Sequence, residues 1–316
     1  MTAARILRGR TLGFRDDPRL DGAVVTEADG AVAIGTDGRI LWSGPFADLP
    51  ESFLGGSVEH FPGKIIMPGF IDAHVHFPQH RMIAAPAKDL LEWLNRFAFE
   101  EEAQYSSEAF AAAAAERFLD KLISHGTTSA LAFSSVHKGA ADCLFKAAQG
   151  RGMCLTTGKT LMDRNAPDAV LDTAEDGARD SADLIGKWHG VDRLRYAITV
   201  RFAVTSTEAQ LQAAGALYGD NPDCLMHSHI SESAGEIEFV KQQFPWSRDY
   251  TDVYDRFGLL GGNTVLAHGI HLSERECQVL HDASAIVVHC PTSNNFLGSG
   301  LFDIDHLRAP ERPVHV

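Results

Sequence analysis

Two histidines two residues apart, His74 and His76, follow an apolar run that opens Ile65-Ile66-Met67 and passes through Pro68-Gly69. In an extended strand residues i and i+2 share a face, so both imidazoles can reach one cation. Imidazole suits zinc or iron, and such an ion lets a hydrolase activate water at neutral pH. A His-x-His pair carries little by itself; repetition gives it weight. Leu225-Met226-His227-Ser228-His229-Ile230-Ser231-Glu232 is a second strand-like run ending in histidine, and Val265-Leu266-Ala267-His268-Gly269 is a third. His227 and His229 share a face, so spacing alone does not choose between them. His229 stands closer to Glu232, and a carboxylate just past a strand end can shuttle protons between an activated water and a substrate. The residues read as a metal-dependent hydrolase centred on His74, His76, His229 and His268.

Arg201-Phe202 ends another apolar run. There a guanidinium could bind a carbonyl oxygen and a phenyl ring could stack on a planar substrate. The plainer alternative is a rim salt bridge and a core phenylalanine. Gln79, three residues past His76, carries an amide suited to the edge of a heterocycle, although most loop glutamines are merely solvated. His289 ends a further run, where it could support the metal ligands, with a structural strand-end residue as the plainer reading. His60, His80, His125, His189, His281 and His306 have no supporting context and read as surface or packing residues.

These side chains need a frame. Up to about residue 64, short alternating runs (Ala31-Val32-Ala33-Ile34, Arg39-Ile40-Leu41-Trp42) are punctuated by Asp29-Gly30 and Asp37-Gly38, which is hairpin chemistry and predicts a small antiparallel β unit. From residue 65 strands alternate with helices. Strands are expected at 65–76, 127–134, 152–161, 194–202, 224–230, 264–269 and 285–290, with helices that include 107–125, 137–150, 170–189, 207–219 and 273–283. Ser106-Ser107-Glu108 and Ser273-Glu274-Arg275-Glu276 supply N-cap signals, the second spaced as a capping box. Alternating units imply a parallel sheet. A doubly wound sheet usually has a glycine-rich turn after its first strand, where this chain has His-x-His, so a (β/α)8 barrel is expected. Residues 1–64 are then a β-rich segment of a composite, sandwich-like β domain. Residues 65–316 are the hydrolase barrel, with Arg312-Pro313-Val314-His315-Val316 reading as the opening of an eighth strand that the sequence does not continue.

Composition narrows the partners. The 316 residues carry a formal net charge of −14 and no basic cluster, which argues against nucleic acid. Five scattered cysteines with no Cys-x-x-Cys pair suit free thiols in a reducing compartment. No apolar stretch approaches the ~18 residues of a membrane span, and no signal-peptide core opens the chain, so a cytoplasmic protein without membrane attachment is expected.

The chain resembles the amidohydrolase superfamily through Pro68-Gly69-Phe70-Ile71-Asp72-Ala73-His74-Val75-His76, His229, His268 and the β-rich N-terminal segment. Within it, the chain is similar to the guanine deaminase family. That narrower likeness rests on His76-Phe77-Pro78-Gln79, Leu90-Leu91-Glu92-Trp93-Leu94, Gly126-Thr127-Thr128, Arg201-Phe202, His229-Ile230-Ser231-Glu232 and His289-Cys290-Pro291-Thr292-Ser293-Asn294. The resemblance implies a TIM-like amidohydrolase barrel that deaminates guanine to xanthine and ammonia at one zinc ion, with iron as the alternative metal. His74, His76, His229 and His268 would ligate it, and Glu232 would move the proton. His76, Gln79, Arg201, Phe202 and His229 would border the purine, with Leu91 and Trp93 closing the pocket, and the full-length protein would be a homodimer. The family's further metal-site aspartate lies on the eighth strand, beyond this sequence, so the 316-residue chain is expected to be a poor catalyst. Asp303 and Asp305 read as first-turn helix residues rather than as its replacement. Two other outcomes fit the same residues: deamination of a different aminated heterocycle, or a catalytically incomplete relative with a binding or assembly role.

Overall fold

Alternating apolar and polar residues give four N-terminal strands in the computed structural model, which describes residues 3–316 and the side chains of residues 5–316. They are β1 (Ala3–Phe14), β2 (Val24–Gly35), β3 (Ile40–Pro45) and β4 (Ser57–Ile66), arranged β3-β2-β1-β4. Ile6, Ala31 and Ala33 are fully buried under Trp42, Phe46, Leu49 and Phe53. Two expectations are corrected here. The sheet is mixed, because β1 pairs with β2 antiparallel but with β4 parallel. Reaching the far edge in that sense requires a crossover rather than a hairpin, and residues 46–56 supply it through two short 3-10 turns. Asp37-Gly38 does form the β2–β3 turn, with Gly38 at φ +77°. Asp29-Gly30, by contrast, lies inside β2 at a register shift opposite Gly9 and Thr11. A Cβ on Gly30 would stand 2.5 Å from the Thr11 hydroxyl, so this glycine serves a bulge and not a turn.

The chain divides into two compact units, Met1–Phe70 and Ile71–Val316. The second is built from β5 (Phe70–His76), β6 (Thr127–Phe133), β7 (Cys154–Gly158), β8 (Thr160–Leu161), β9 (Leu194–Val200), β10 (Leu225–Ile230), β11 (Thr264–His268) and β12 (Ile286–Val288). Among the described residues the order β12-β11-β10-β9-β7-β6-β5 is a nearly closed parallel barrel, with β8 adding a short pairing to β9. The strand expected over 65–76 is in fact two, split at Met67-Pro68-Gly69: Ile65 and Ile66 belong to β4, and β5 begins at Phe70. The strand expected over 152–161 breaks at Lys159, whose N–H donates to the Tyr196 hydroxyl (3.2 Å) instead of to a neighbouring strand. Near the end of the chain Val287 N–H donates to the His315 carbonyl (2.8 Å), a parallel bridge beside β12.

Helices α1 (Leu90–Trp93) and α2 (Phe99–Ala103), joined by a π-turn, lead to α3 (Glu108–Ser124), and α4 (Lys138–Arg151), α5 (Ala174–Trp188) and α6 (Glu208–Asp220) follow. The remainder are α7 (Ala234–Gln243), α8 (Tyr250–Arg256), α9 (Glu274–Asp282), α10 (Pro291–Phe296) and α11 (Ile304–Leu307). Their ends are written locally. Ser107 caps α3, and Ser273 with Glu276 forms the expected capping box on α9. An unforeseen second box, Ser233 with Glu236, starts α7. The residue alternation of the strands separates two apolar layers. Ala132, Ile198, Met226 and Leu266 belong to the large core, whereas Leu131, Ala197 and Val265 form a separate small cluster with Leu225, Ile286 and Val288. In β10 that alternation puts Leu225, His227 and His229 on one face, ascending toward the strand's C-terminal end.

Candidate active site

The curl of the barrel gathers the histidines, since β5 and β10 are not neighbours in the sheet. His76 Nε2 lies 3.2 Å from His74 Nε2 and 3.0 Å from His229 Nε2. Nitrogens held at 2.0–2.1 Å by a tetrahedral zinc would stand roughly 3.3 Å apart, so these three atoms are spaced as a metal site needs. Their tautomers fit as well. His229 Nδ1 donates to the Arg201 carbonyl (2.6 Å) and His268 Nδ1 to Asn294 Oδ1 (2.8 Å), which leaves each Nε2 as an acceptor. Burial, reinforced by neighbouring imidazoles, holds His74, His76 and His229 well below the usual histidine pKa, and ligands must be neutral. Phe133, at the end of β6, stacks on His76 (4.8 Å between ring centres) and packs on His229 (4.6 Å).

His268 stands slightly apart. Its ring is 5.4 Å from that of His229, and its Nε2 is 3.3 Å from Glu232 Oε2. With His74 and Cys290 it makes a second donor group whose ligand atoms all lie within 4.8 Å of one another. His268 has φ +74° and Ser231, beside Glu232, has φ +48°. Side-chain-bearing residues rarely adopt that region, and such strain clusters at functional positions. His227 sits one layer deeper, its Nε2 2.9 Å from His74 Nδ1 and its own Nδ1 without a partner among the described residues. The two β10 histidines that spacing could not separate therefore differ in depth: one reaches the cluster and the other backs His74.

Glu232 is buried, with Ser299 Oγ donating to Oε1 (3.3 Å). Burial pushes its carboxyl up to about 7, the range in which a group both takes and returns a proton at neutral pH. Glu236 accepts from the Glu232 N–H (2.9 Å) and is itself pushed to about 7 by burial and by Glu232.

Arg201 follows β9 and is buried, and its guanidinium meets Glu102 of α2 twice (2.5 and 3.0 Å) above the Phe99 ring. Gln79, on the turn after β5, donates its amide to the same carboxylate (3.2 Å). Phe202 is buried, its ring 6.3 Å from that of His229. Leu91 and Trp93 pack on the main core, and the Trp93 indole N–H is buried without a partner among the described residues. His289 instead stacks on Phe302 (4.4 Å), and Asp303 caps α11 by accepting from His306 N–H. Glu102, Phe133 and Asn294 were missed as site residues in the sequence. Phe133 could have been found as another strand-end residue; Glu102 offered no local signal.

Residues 65–308 match the amidohydrolase family. The chain is 42% identical over 280 residues to the guanine deaminase of Escherichia coli strain K12, covering 87% of this chain and 63% of that protein. It therefore spans somewhat under two thirds of that relative's length. A crystal structure of guanine deaminase from Bradyrhizobium japonicum superposes with TM-score 0.95 at 38% identity, covering 99% of this chain and 68% of the other. A guanine deaminase from C. acetobutylicum with guanine bound in its active site gives TM-score 0.89 at 30% identity, covering 96% and 72%. With the barrel, the converging imidazoles and these likenesses together, the chain belongs to the amidohydrolase family.

Proposed function

We propose that this chain carries the site of a metal-dependent deaminase that hydrolyses guanine to xanthine and ammonia. The observation behind the chemistry is the convergence of three neutral imidazole nitrogens beside a buried carboxyl poised near neutrality. Support for the substrate comes from the guanine deaminases it is similar to, one of them with guanine bound. His74, His76 and His229 would hold the metal, with His268 completing the set, and zinc is the expected ion with iron as the alternative. Bound there, the ion supplies Lewis-acid activation of water at neutral pH. Glu232 would take a proton from the attacking water and deliver it to the departing amine, so that guanine plus water gives xanthine plus ammonia. Arg201 would donate to the purine carbonyl, Gln79 would bond the ring edge, and Phe202 would wall the pocket, with His76 and His229 bordering the reacting carbon. A cytoplasmic homodimer working in purine breakdown belongs to the same proposal, and sedimentation tests the assembly.

The test is to purify the protein at the full length of its relatives, measure bound metal, and follow guanine loss and ammonia release with added zinc. We expect stoichiometric zinc in the wild type and in His227→Ala, and its loss in His229→Ala. Because His227 contacts His74, its removal should weaken metal binding only about 10–100-fold. Full retention of metal by His229→Ala would overturn the ligand assignment. Zinc-loaded protein of that full length that leaves guanine untouched would overturn the activity.

A further inference from the structure

Arg201 and Gln79 lie far apart in sequence, yet both bond one oxygen, Oε1 of Glu102, at 3.0 and 3.2 Å. That carboxylate is buried, and its Oε2 takes a second guanidinium N–H at 2.5 Å. A doubly bonded guanidinium cannot rotate without breaking both contacts, and the Phe99 ring 5.3 Å away covers its face. The glutamine is constrained differently. An amide has a donor end and an acceptor end, and a carboxylate only accepts, so the NH2 of Gln79 must face Glu102. Its carbonyl then points to the opposite side, and it accepts no hydrogen bond among the described residues.

We propose that Glu102 is the positioning residue that sets substrate specificity: it locks Arg201 as a donor beside Gln79 as an acceptor. A donor and an acceptor fixed side by side match a lactam edge, a ring carbonyl next to a ring N–H. The proposal rests on the purine reading above and deepens it. A ligand whose oxygen is alkylated has no such N–H and leaves the Gln79 carbonyl unpaired, a large penalty in a closed site. Loss of Glu102 frees the amide to flip and the guanidinium to turn, so discrimination falls while the metal cluster, which Glu102 does not touch, is unaffected.

The experiment compares wild type, Glu102→Gln and Glu102→Asp, each zinc-loaded. Calorimetry in a Glu232→Gln background, in which turnover is slowed, measures binding of guanine and of O6-methylguanine, and nitrogen-15 spectra follow the Arg201 guanidinium. Aspartate keeps the charge that the buried arginine needs but is one methylene too short for both contacts, so it serves if the glutamine variant fails to fold. Wild type should prefer guanine by at least about 10²-fold, with resolved, slowly rotating Nη signals. Both variants should lose at least tenfold of that preference, with collapsed Nη signals and unchanged zinc content. Unchanged preference, or Nη signals still resolved in the folded variants, would overturn the proposal. Wild type that binds neither purine, with Nη signals that still collapse in the variants, would refute the purine reading and the specificity claim while leaving Glu102 as the residue that orders Arg201.

Discussion

Glu102 on α2 and Glu232 just past β10 are both almost wholly buried, at 1% and 3% exposure, and they border the same site in opposite surroundings. Glu102 faces a guanidinium at two points and an amide at a third. Glu232 faces one hydroxyl, the edge of His268 and no cation among the described residues. A paired carboxylate in a dry interior is a fixed charge that orders its partners. An unpaired one resists ionisation, and its carboxyl stands near 7. The partner, and not the residue type or the depth of burial, separates the carboxylate held in an ion pair from the one left without a cation among the described residues. Arg201 connects the two regions, since its guanidinium binds Glu102 while its carbonyl orients His229.

The largest effect that could break this comparison is on rate. At the full length of its relatives, Glu232→Gln should keep its metal and bind guanine but turn over about 10²–10⁴-fold more slowly, as expected for loss of a general acid–base. Near-normal turnover would make Glu232 another scaffold. A second test sharpens the contrast through stability, because the two glutamine variants should move in opposite directions. Glu102→Gln strands a buried guanidinium and should cost about 3–5 kcal/mol in denaturant unfolding. Glu232→Gln in metal-free protein should instead stabilise at pH 8. The folded carboxyl titrates near 7 against an ordinary 4.5, so its contribution is fully present below 4.5 and is lost as pH rises through 7. The variant's advantage should therefore be absent at pH 4 and reach roughly 3 kcal/mol at pH 8. Parallel changes at both glutamates would erase the distinction. The smallest effect concerns Ser299, whose hydroxyl favours the ionised form of Glu232. Ser299→Ala removes a bond of about 1 kcal/mol and should shift the acidic limb of the pH–rate profile upward by roughly 0.7 pH unit. An unmoved or downward-moved limb would show that the hydroxyl does not tune the base.

Much of the frame was legible because it is local. Apolar runs alternating with helical stretches forecast the barrel strands, and the serines of Ser106-Ser107-Glu108 and of the Ser273 box hold the caps, Ser107 on α3 and Ser273 on α9. His74 and His76 were sure to share a face once a strand was expected there, since alternation is a property of the backbone itself. Where the forecast slipped, a tertiary partner had intervened. Asp29-Gly30 has the composition of a turn, but Thr11 across the sheet makes it a bulge. The run over 65–76 read as one strand because its apolar pattern is unbroken, whereas its first two residues pair with β1.

Residue types alone set the chemistry available near the strand ends: imidazoles that can ligate, a carboxylate that can move protons, a guanidinium and an amide that can hydrogen-bond a ligand. These follow from residue type and two-residue alternation, which need nothing distant. Which of these groups meet, and in what state, depends on contacts made across the fold. Glu102 is 99 residues from Arg201 and 23 from Gln79, and no local pattern signals that one carboxylate will hold both. His227 and His229 are equivalent by spacing, and they part only when the barrel places one at the His76 nitrogen and the other behind His74. Glu232 is an ordinary acid until the fold closes over it, because desolvation and the absence of a neighbouring cation exist only once the strands have assembled.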